Sequence, residues 1–250
     1  MEHSFLITGG SSFLGRACAK QIAMNNEYRV FITSRKDVSE EFNNILYRTN
    51  VRYLPNIDLT KEPDMMKLTE EIDKFFPGKF HVINCLGKFT SYSRIEETTI
   101  EMAKEILESN ILTLYAVAHK IIPLMKIRGG GHFIGFTSHT SYQNYPLMAT
   151  YTASKAAVES LIKSISNECL ADKIYANVIA LATLQTPIEK AMKPNGDYEN
   201  WLAPEQVYEI IKNVILYSGN LVNGTIIHAY KYSDSFFGES FYERNKGMER

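Results

Sequence analysis

Short apolar runs alternate with segments of helical periodicity from one end of this 250-residue chain to the other. The runs are continuously apolar, which is typical of strands in a parallel sheet that is covered by helices on both faces. They predict strands at residues 4–7, 29–32, 51–54, 80–83, 133–136, 176–181 and 225–229. No linker or repeat divides the chain, so we expect one doubly wound α/β domain with a seven-stranded parallel sheet over residues 1–232.

Apolar residues at helical spacing occupy the segments between these runs. Pro204 is expected to open the helix before the last strand, because its fixed φ and missing N–H suit the first helical turn. A short helix is expected near residues 39–46. The longest segment predicts one continuous helix whose buried face is formed by Leu107, Ile111, Leu114, Ala118 and Ile122.

Composition and charge exclude several classes of protein. The net charge is −1, from 27 basic and 28 acidic residues, which argues against a general nucleic-acid binder. No apolar run reaches the ~18 residues of a membrane span, and Met1 to Leu6 lacks the basic start of a signal peptide. The three distant cysteines and six histidines form no metal-ligand spacing, so we expect a cytoplasmic protein without a metal site.

A hydroxyl, a phenol and an ammonium group are predicted to meet near one strand end. Ser138 follows the run 133–136, and the next helix is expected to begin at Thr150-Tyr151. Tyr151 and Lys155 stand at positions i and i+4, so they share one face of that helix. Three such groups together can give a proton to a substrate oxygen or remove one from it.

The Tyr-x-x-x-Lys spacing alone is weak evidence, because it occurs at Tyr151/Lys155, Tyr208/Lys212 and Tyr242/Lys246. The residues thirteen places before the three tyrosines are Ser138, Asn195 and Ala229. The first copy alone has both the serine and a preceding apolar strand. We interpret the other two copies as exposed pairs on helices.

A glycine-rich turn between the first strand and the first helix predicts a phosphate cradle. Gly9 allows the tight turn and Gly15 allows close packing of the helix on the strand. Ser12-Phe13 occupies the place of the middle glycine, where the backbone would approach a pyrophosphate. The candidate cofactor-binding residues in this turn are Thr8, Gly9, Ser11, Ser12, Phe13, Leu14 and Gly15.

The end of the second strand bears on the choice of cofactor. A carboxylate there would bind the ribose 2′-hydroxyl of NAD, but the chain reads Thr33-Ser34-Arg35-Lys36. Ser34 and Arg35 suit a 2′-phosphate, which favours NADP(H) over NAD(H), although the cations could also be solvated loop charges. Asp58, with Leu59 beside it, is placed to meet the adenine, and Asp58 could equally cap the next segment.

With these residues in place, the chain resembles the short-chain dehydrogenase/reductases over nearly its whole length. The family's Thr-Gly-x-x-x-Gly-x-Gly loop is matched at Thr8, Gly9 and Gly15. Its Asn-Asn-Ala-Gly segment is matched at Asn84 and Gly87. The resemblance implies a Rossmann-type fold and the family's catalytic tetrad at Asn110, Ser138, Tyr151 and Lys155.

The resemblance also implies hydride transfer between C4 of a nicotinamide and a carbonyl carbon. Tyr151 would donate the proton, and Lys155 would lower the phenol pKa from ~10 and hold the nicotinamide ribose. Ser138 would bind the substrate oxygen and Asn110 would hold a water next to Lys155. Thr186 would lie near the nicotinamide amide, after Leu181-Ala182 in place of the family's Pro-Gly.

Residues 184–200, with their prolines and a glycine, predict a mobile lid over a partly apolar substrate. The substrate is expected to be a small-molecule or acyl-carrier-bound carbonyl compound, and a 3-oxoacyl thioester is common in the family. Candidate substrate-facing residues are His139, Tyr145, Leu184 and Ile188, with Tyr142, Leu147 and Met148 along the opposite wall.

Several alternatives stay open at this point. The chain could be a dinucleotide-binding protein with a regulatory or scaffold role, or an epimerase or dehydratase that retains its nicotinamide. Residues 233–250 carry four aromatic side chains, which suggests packing on the pocket or a partner subunit rather than a floppy tail. Family resemblance predicts a homodimer or homotetramer.

Overall fold

A computed structural model describes residues 3–89, 91–196 and 198–231 of the chain. In these residues, seven parallel strands form one sheet in the order β3-β2-β1-β4-β5-β6-β7. The predicted fold class is confirmed. The strands are β1 (His3–Thr8), β2 (Tyr28–Thr33), β3 (Val51–Leu54), β4 (His81–Asn84), β5 (Gly131–Ser138), β6 (Ile174–Leu181) and β7 (Ile226–Ala229).

Each predicted strand is present, and β5 shows why most bounds differ by a residue or two. The apolar run predicted only residues 133–136, yet β5 pairs with β6 from Gly131, opposite Ile174, to Ser138, opposite Leu181. Polar residues at a strand end are held by main-chain pairing, which an apolar run does not reveal. The expected aromatic tail at 233–250 lies outside the described residues.

The strand order reverses at β1, which lies between β2 and β4. Thr8 at the end of β1 pairs with Thr33 of β2 on one side and with Asn84 of β4 on the other. The carboxyl ends of three strands therefore meet at one point of the sheet edge. In open α/β sheets, ligands bind in the crevice at such a reversal.

Alternate residues of the central strands lie on opposite faces of the sheet and pack in two hydrophobic cores. Ile7, Ile32 and Ile83 lie on the face covered by the helices at Phe13–Ala23 and Pro204–Lys212, whereas Leu6 and Phe31 lie on the opposite face. These side chains are almost fully buried, and each such burial stabilises the fold by roughly 1.5–3 kcal/mol. The helices are α1 (Phe13–Ala23), α2 (Glu62–Phe75), α3 (Ile100–Leu107), α4 (Thr113–Ile127), α5 (Thr140–Gln143), α6 (Ala149–Glu168), α7 (Pro187–Met192) and α8 (Pro204–Lys212).

The helix ends largely follow their sequence signals. Ser12 and Thr99 cap α1 and α3 by accepting hydrogen bonds from the N–H groups of the first turn. Pro204 is the first residue of α8, as predicted. The short helix expected near 39–46 is only a 3₁₀ turn at Ser39–Phe42.

The predicted long helix is present, and it consists of α3, a π-helical turn at Glu108–Leu112, and α4, which follow one another without a break. The prediction that Leu107 lies on its buried face is wrong. The extra residue in this turn shifts the buried stripe, so that Ile106 is 4% exposed whereas Leu107 is 38% exposed. The predicted stripe is correct from Leu114 onwards. The same shift buries Asn110, which is 1% exposed.

The interpretation of Tyr208/Lys212 as an exposed pair is also wrong for the tyrosine. Tyr208 is 6% exposed and packs in the core between α1 and α8. The Tyr242/Lys246 copy lies outside the described residues. Within the described ranges, no helix combines the length and the apolarity that crossing a membrane requires.

Candidate active site

The structure brings Ser138, Tyr151 and Lys155 together at the carboxyl edge of the sheet. Ser138 is the last residue of β5, and the other two lie in the first two turns of α6. The Ser138 hydroxyl lies near enough to the Tyr151 phenol to lower the pKa of the phenol. The Lys155 Nζ lies 5.7 Å from the centroid of the Tyr151 ring. The predicted hydroxyl, phenol and ammonium therefore form one group.

Lys155 is held inside the protein rather than on a solvated helix face. It is 5% exposed, and its Nζ donates to the main-chain oxygen of Phe136 at 3.2 Å. Burial lowers the pKa of Lys155 to about 8. A pKa this close to neutrality allows the ammonium to lose and regain a proton under physiological conditions.

The Tyr151 phenol is in its protonated form at neutral pH. The prediction that Lys155 lowers the pKa of this phenol is wrong for the protein alone, because burial raises the pKa above the ordinary value and the negative charge of Glu189 raises it further, while the nearby Ser138 hydroxyl opposes both. The ring of Phe89 stands edge-on to the Tyr151 ring with the centroids 5.1 Å apart. The arrangement presents a shielded proton donor next to a cation.

Asn110 is fixed by hydrogen bonds to the segment that follows β4. Its Oδ1 accepts from the Lys88 N–H at 2.7 Å, and its Nδ2 donates to the Lys88 carbonyl and to Ser154 Oγ, each at 2.9 Å. One lone pair of Oδ1 is left over, which could bind the predicted water. Ser154 also donates to the Tyr151 carbonyl at 2.6 Å. The sequence reading missed Ser154, although it stands within Tyr151–Lys155 and is fully buried.

The glycine-rich turn fits a dinucleotide phosphate. Gly9 has a φ of +74°, and a Cβ on it would come within 2.7 Å of the Cys85 carbonyl oxygen. A Cβ on Gly15 would come within 2.4 Å of the Gly9 oxygen. Thr8 Oγ1 donates to Asn84 Oδ1 at 2.6 Å, which ties the β1 end to β4. Glycine is thus required at both positions of the cradle.

Ser12 and Phe13, at the place of the middle glycine, are both engaged with the protein. Ser12 Oγ accepts from the Gly15 N–H at 2.9 Å and caps α1. The Phe13 ring packs under the Arg16 guanidinium at 4.4 Å, and Arg16 pairs with Glu41 at 2.6 Å. Of the other predicted cradle residues, Leu14 has its side chain in the core and Ser11 is half-buried.

The ends of β2 and β3 form the other half of the predicted cofactor site. Ser34 is buried, and its hydroxyl lies 2.5 Å from the Lys36 carbonyl and 2.7 Å from the Tyr53 phenol, so it shapes the turn. Arg35 is exposed, and its charge reaches Asp58. Arg35 and the neighbouring Lys36 are both exposed, and the Arg35 guanidinium is the one able to meet a phosphate with two parallel hydrogen bonds.

The alternative prediction that Asp58 caps the next helix is wrong, because the N-cap of α2 is Lys61 and no side chain caps it; Asp58 instead closes the turn before that helix. Its Oδ1 accepts from the Thr60 N–H at 3.0 Å and from Thr60 Oγ1 at 2.7 Å. The Thr60 hydroxyl is the main cause of its lowered pKa, and the charges of Lys61 and Arg35 add to it. Leu59 is buried in the core.

The predicted substrate-facing residues differ in their surroundings. His139 packs against His228 and Tyr230, with ring centroids 6.0 and 5.6 Å away, and burial lowers its pKa to about 4. Tyr145 is half-buried. Leu184 pairs with Leu202 through a β-bridge, and Ile188 on α7 is 62% exposed.

Residues 184–200, the predicted lid, contain α7 and a 3₁₀ turn at Tyr198–Asn200. Thr186 caps α7 by accepting from the Glu189 N–H at 3.2 Å. A depression beside Tyr151 includes the predicted wall residues Leu147 and Met148. It also includes residues that the sequence reading missed, because they come from the loop after β4 and from α3, namely Ser91, Ser93, Thr98, Met102 and Ile106.

In the ranges that the structure describes, no three His, Cys, Asp or Glu side chains are grouped so as to hold a metal ion. Among the described residues, Cys18, Cys85 and Cys169 are buried and form no disulfide.

A doubly wound parallel sheet with a glycine cradle, a phenol and a buried ammonium group at one edge is typical of Rossmann-type oxidoreductases. The family model described as short chain dehydrogenase matches residues 3–197. The chain belongs to this family.

Known relatives share the fold over most of their length. A tropinone reductase homolog from Arabidopsis thaliana is 24% identical over 239 residues, which cover 89% of this chain and 87% of that protein. The structure of ElxO with NADP bound has a TM-score of 0.81 at 22% identity and covers 91% of this chain and 97% of that one. The 3-ketoacyl-(acyl-carrier-protein) reductase from Brucella melitensis, complexed with NADH, has a TM-score of 0.81 at 22% identity, with 92% and 97% covered.

Proposed function

We propose that this protein reduces a ketone or aldehyde to an alcohol with NADPH, and that Tyr151 is the proton donor. The observation that carries the proposal is the placement of three groups at one edge of the sheet: Ser138 at the end of β5, the Tyr151 phenol, and the buried Lys155 with its Nζ 5.7 Å from the Tyr151 ring centroid. A carbonyl that gains a hydride becomes an alkoxide and needs a proton at its oxygen. The same edge of the sheet holds the glycine cradle, so the proton donor and the predicted cofactor site share one crevice.

The side chains divide the work as follows. When bound, the reduced nicotinamide supplies the hydride. Tyr151 gives its phenolic proton to the substrate oxygen, and the Ser138 hydroxyl hydrogen-bonds that oxygen as its charge develops. The phenolate that remains is stabilised by the Lys155 ammonium. Lys155, with its pKa of about 8, can then return a proton to Tyr151, and Asn110 holds the water that connects Lys155 to solvent.

We propose that the cofactor is bound by residues at the carboxyl ends of strands β1 to β4, together with residues at the beginning of helices α6 and α7. A 2′-phosphate would meet the Arg35 guanidinium, which favours NADPH over NADH. Among the compared structures, ElxO holds NADP and the Brucella melitensis enzyme holds NADH. The proposed cofactor-binding residues are Thr8, Gly9, Ser11, Ser12, Phe13, Leu14, Gly15, Ser34, Arg35, Asp58, Leu59, Asn84, Gly87, Tyr151, Lys155 and Thr186.

The proposed substrate is a small or acyl-carrier-bound carbonyl compound, with a 3-oxoacyl thioester as the first to test. The crevice beside Tyr151 combines hydroxyl groups with the apolar side chains of Leu147 and Met148, which suits a chain that is part polar and part apolar. We further propose a cytoplasmic homodimer or homotetramer, which light scattering of the purified protein would distinguish from a single chain.

Replacing Tyr151 by phenylalanine tests the proposal. NADPH oxidation would be followed with acetoacetyl-coenzyme A and a panel of ketones and aldehydes. Loss of the general acid should lower turnover by roughly 10²–10⁴-fold while NADPH binding, measured by fluorescence, stays unchanged. The matched control is Tyr208→Phe, which alters another Tyr-x-x-x-Lys pair and should retain turnover. Activity that survives Tyr151→Phe would exclude Tyr151 as the proton donor.

A further inference from the structure

A carboxylate that the proposed reaction does not use lies directly behind Ser138. Glu159 of α6 has its Oε1 2.8 Å from Thr137 Oγ1 and 2.5 Å from Ser141 Oγ. Thr137 precedes Ser138 in β5, and Ser141 belongs to α5. The one carboxylate oxygen therefore joins three elements, and we refer to Thr137, Ser141 and Glu159 as the Glu159 cluster.

The same two hydroxyls reach the main chain on both sides of the active site. Ser141 Oγ lies 2.7 Å from the Ser138 carbonyl oxygen, and Thr137 Oγ1 lies 3.1 Å from the Lys155 carbonyl oxygen. The Ser138 Oγ in turn lies 3.4 Å from the Thr140 N–H. The cluster thus flanks Ser138 with Thr137, one residue before it, and Ser141, three residues after it. It also contacts the turn of α6 that carries Lys155.

Thr137 and Ser141 each have one hydroxyl proton. The acceptors around them are Glu159 Oε1 and the two main-chain oxygens. Glu159 Oε1 is the acceptor that both hydroxyls reach, so this one oxygen links β5 and α5 to α6. Without an oxygen at this position, each hydroxyl could turn towards the main chain instead.

We propose that Glu159 is a positioning residue that holds the β5 end and α5 against α6, and thereby aligns the Ser138 hydroxyl with the Tyr151 phenol. Glu159 does not touch Tyr151, so it acts through Ser138. The proposal rests on the proposed function, since it concerns the geometry of the proton donor. The sequence offers no signal for it, because Thr137, Ser141 and Glu159 have no recognisable spacing.

The cluster also sets the local charge. Tyr142 of α5 faces Glu159, and burial together with this charge raises the pKa of Tyr142 to about 12. Lys155 stands one helical turn before Glu159 on α6. A variant at position 159 must therefore separate the effect of the charge from that of the hydrogen-bond acceptor.

A pair of variants makes this separation. Glu159→Gln removes the charge but retains an oxygen that can accept both hydroxyls, whereas Glu159→Leu removes the charge and the acceptor together. Glu168→Leu, at an exposed position of the same helix, is the matched control. Ser141→Ala removes one of the two donors and serves as a milder second test if Glu159→Leu does not fold.

The first readout is turnover with NADPH and acetoacetyl-coenzyme A. Each variant is measured alone and in combination with Ser138→Ala. We expect Glu159→Leu to lower kcat about tenfold without changing KM for NADPH, and Glu159→Gln and Glu168→Leu to stay within about twofold. Because Glu159 acts through Ser138, Glu159→Leu should have no further effect on Ser138→Ala. A loss that adds fully to that of Ser138→Ala would overturn the proposal.

The second readout needs no substrate. In protein labelled with ¹³Cζ-tyrosine and saturated with NADP⁺, the resonance missing from Tyr151→Phe belongs to Tyr151. Glu159→Leu and, more weakly, Ser141→Ala should move this resonance in the same direction as Ser138→Ala, while Glu159→Gln leaves it in place. If Glu159→Leu and Glu159→Gln give the same spectrum, the acceptor has no positioning role.

The outcomes keep the two proposals apart. Turnover that survives Tyr151→Phe contradicts the proposed function, whatever the Glu159 variants do. Loss of turnover in Tyr151→Phe, together with wild-type kcat and an unshifted Tyr151 resonance in Glu159→Leu, contradicts only the role of Glu159.

Discussion

Gly87 lies against the ammonium group of Lys155. A Cβ added to Gly87 would stand 2.9 Å from Lys155 Nζ and 2.9 Å from Asn110 Oδ1. Neither atom can move aside without weakening a hydrogen bond, because Nζ donates to the Phe136 carbonyl and Oδ1 accepts from the Lys88 N–H. The φ of Gly87 is +152°, a region that other residues rarely adopt. The segment after β4 therefore sets the position of two members of the proposed tetrad.

Gly87→Ala should consequently reduce turnover by at least about tenfold, since displacing Lys155 or Asn110 by even part of an ångström disturbs the proton-donating group. The protein should still fold, with a loss of about 1–3 kcal/mol from backbone strain. Steady-state kinetics and urea unfolding measure the two effects. Gly78→Ala is the control, because a Cβ there would meet no atom within 4 Å. Equal kcat values for the two variants would contradict the assigned contact.

Arg35→Ala should weaken NADPH binding and leave NADH binding unchanged, because only NADPH carries the 2′-phosphate. A charge-assisted hydrogen bond contributes about 1.5–3 kcal/mol, so the dissociation constant for NADPH should rise roughly 10–100-fold. Fluorescence titration with each nucleotide measures this, and NADH is the internal control. Similar losses of affinity for NADPH and NADH would show that Arg35 does not bind the 2′-phosphate.

Much of the fold is readable from the sequence, because parallel strands buried on both faces leave continuous apolar runs. The π-helical turn Glu108–Leu112 is the main exception. Nothing in local propensity marks it, since it forms where Asn110 can bond both main-chain groups of Lys88 and the Ser154 hydroxyl. The helix accepts one extra residue, and Ile106 replaces Leu107 in the core.

The candidate site is predictable only in part for a similar reason. Ser138, Tyr151 and Lys155 stand at a spacing that a strand end and one helix can bring together. Ser34, which we propose for the cofactor site, also bonds Lys36 and Tyr53, and the bond to Tyr53 joins separate segments that the sequence does not show to be neighbours. Glu159 has no sequence pattern, because its partners come from β5 and α5. Contacts of this kind depend on tertiary placement rather than on local periodicity.

Stability should fall in mild acid because of a row of histidines at the amino edge of the sheet. His81 Nδ1 accepts from the His132 N–H at 3.2 Å, so its other nitrogen carries the proton and can donate to His3 Nδ1, 3.2 Å away. Burial, with nearby cationic charge, keeps the pKa of His81 well below its usual range and lowers that of His132 from 6.5 to about 4. Tyr28 and Tyr175 flank the row.

Stability falls with falling pH because the unfolded state binds the proton more readily than the folded state does. Between pH 6.5 and about 4, the unfolded chain protonates His132 and the folded chain does not, so stability is full above this window and is lost as pH falls through it. His132 alone contributes a loss of about 3 kcal/mol. Urea unfolding should show that His132→Phe is stabilised relative to the wild type at low pH, whereas His119→Gln, at an exposed site, matches the wild type. A wild-type unfolding free energy that stays constant across the window would contradict the buried, neutral state of the row.

The pH dependence of carbonyl reduction should be set by Lys155 rather than by Tyr151. Burial raises the pKa of Tyr151, so the phenol stays protonated across the accessible range, whereas the pKa of Lys155 is lowered to about 8. The ammonium form, which stabilises the developing phenolate, predominates below that value. The ratio kcat/KM should therefore be constant below about pH 8 and fall about tenfold per pH unit above it.

Lys155→Arg tests this assignment, because a guanidinium stays charged at any pH used. The variant should be less active, since the larger group does not fit against Gly87 and the Phe136 carbonyl, but its kcat/KM should lose the decline near pH 8. Lys163→Arg, at an exposed position on the same helix, should retain both the activity and the decline. A decline that persists unchanged in Lys155→Arg would assign it to another group and would remove Lys155 from the role of the titrating cation.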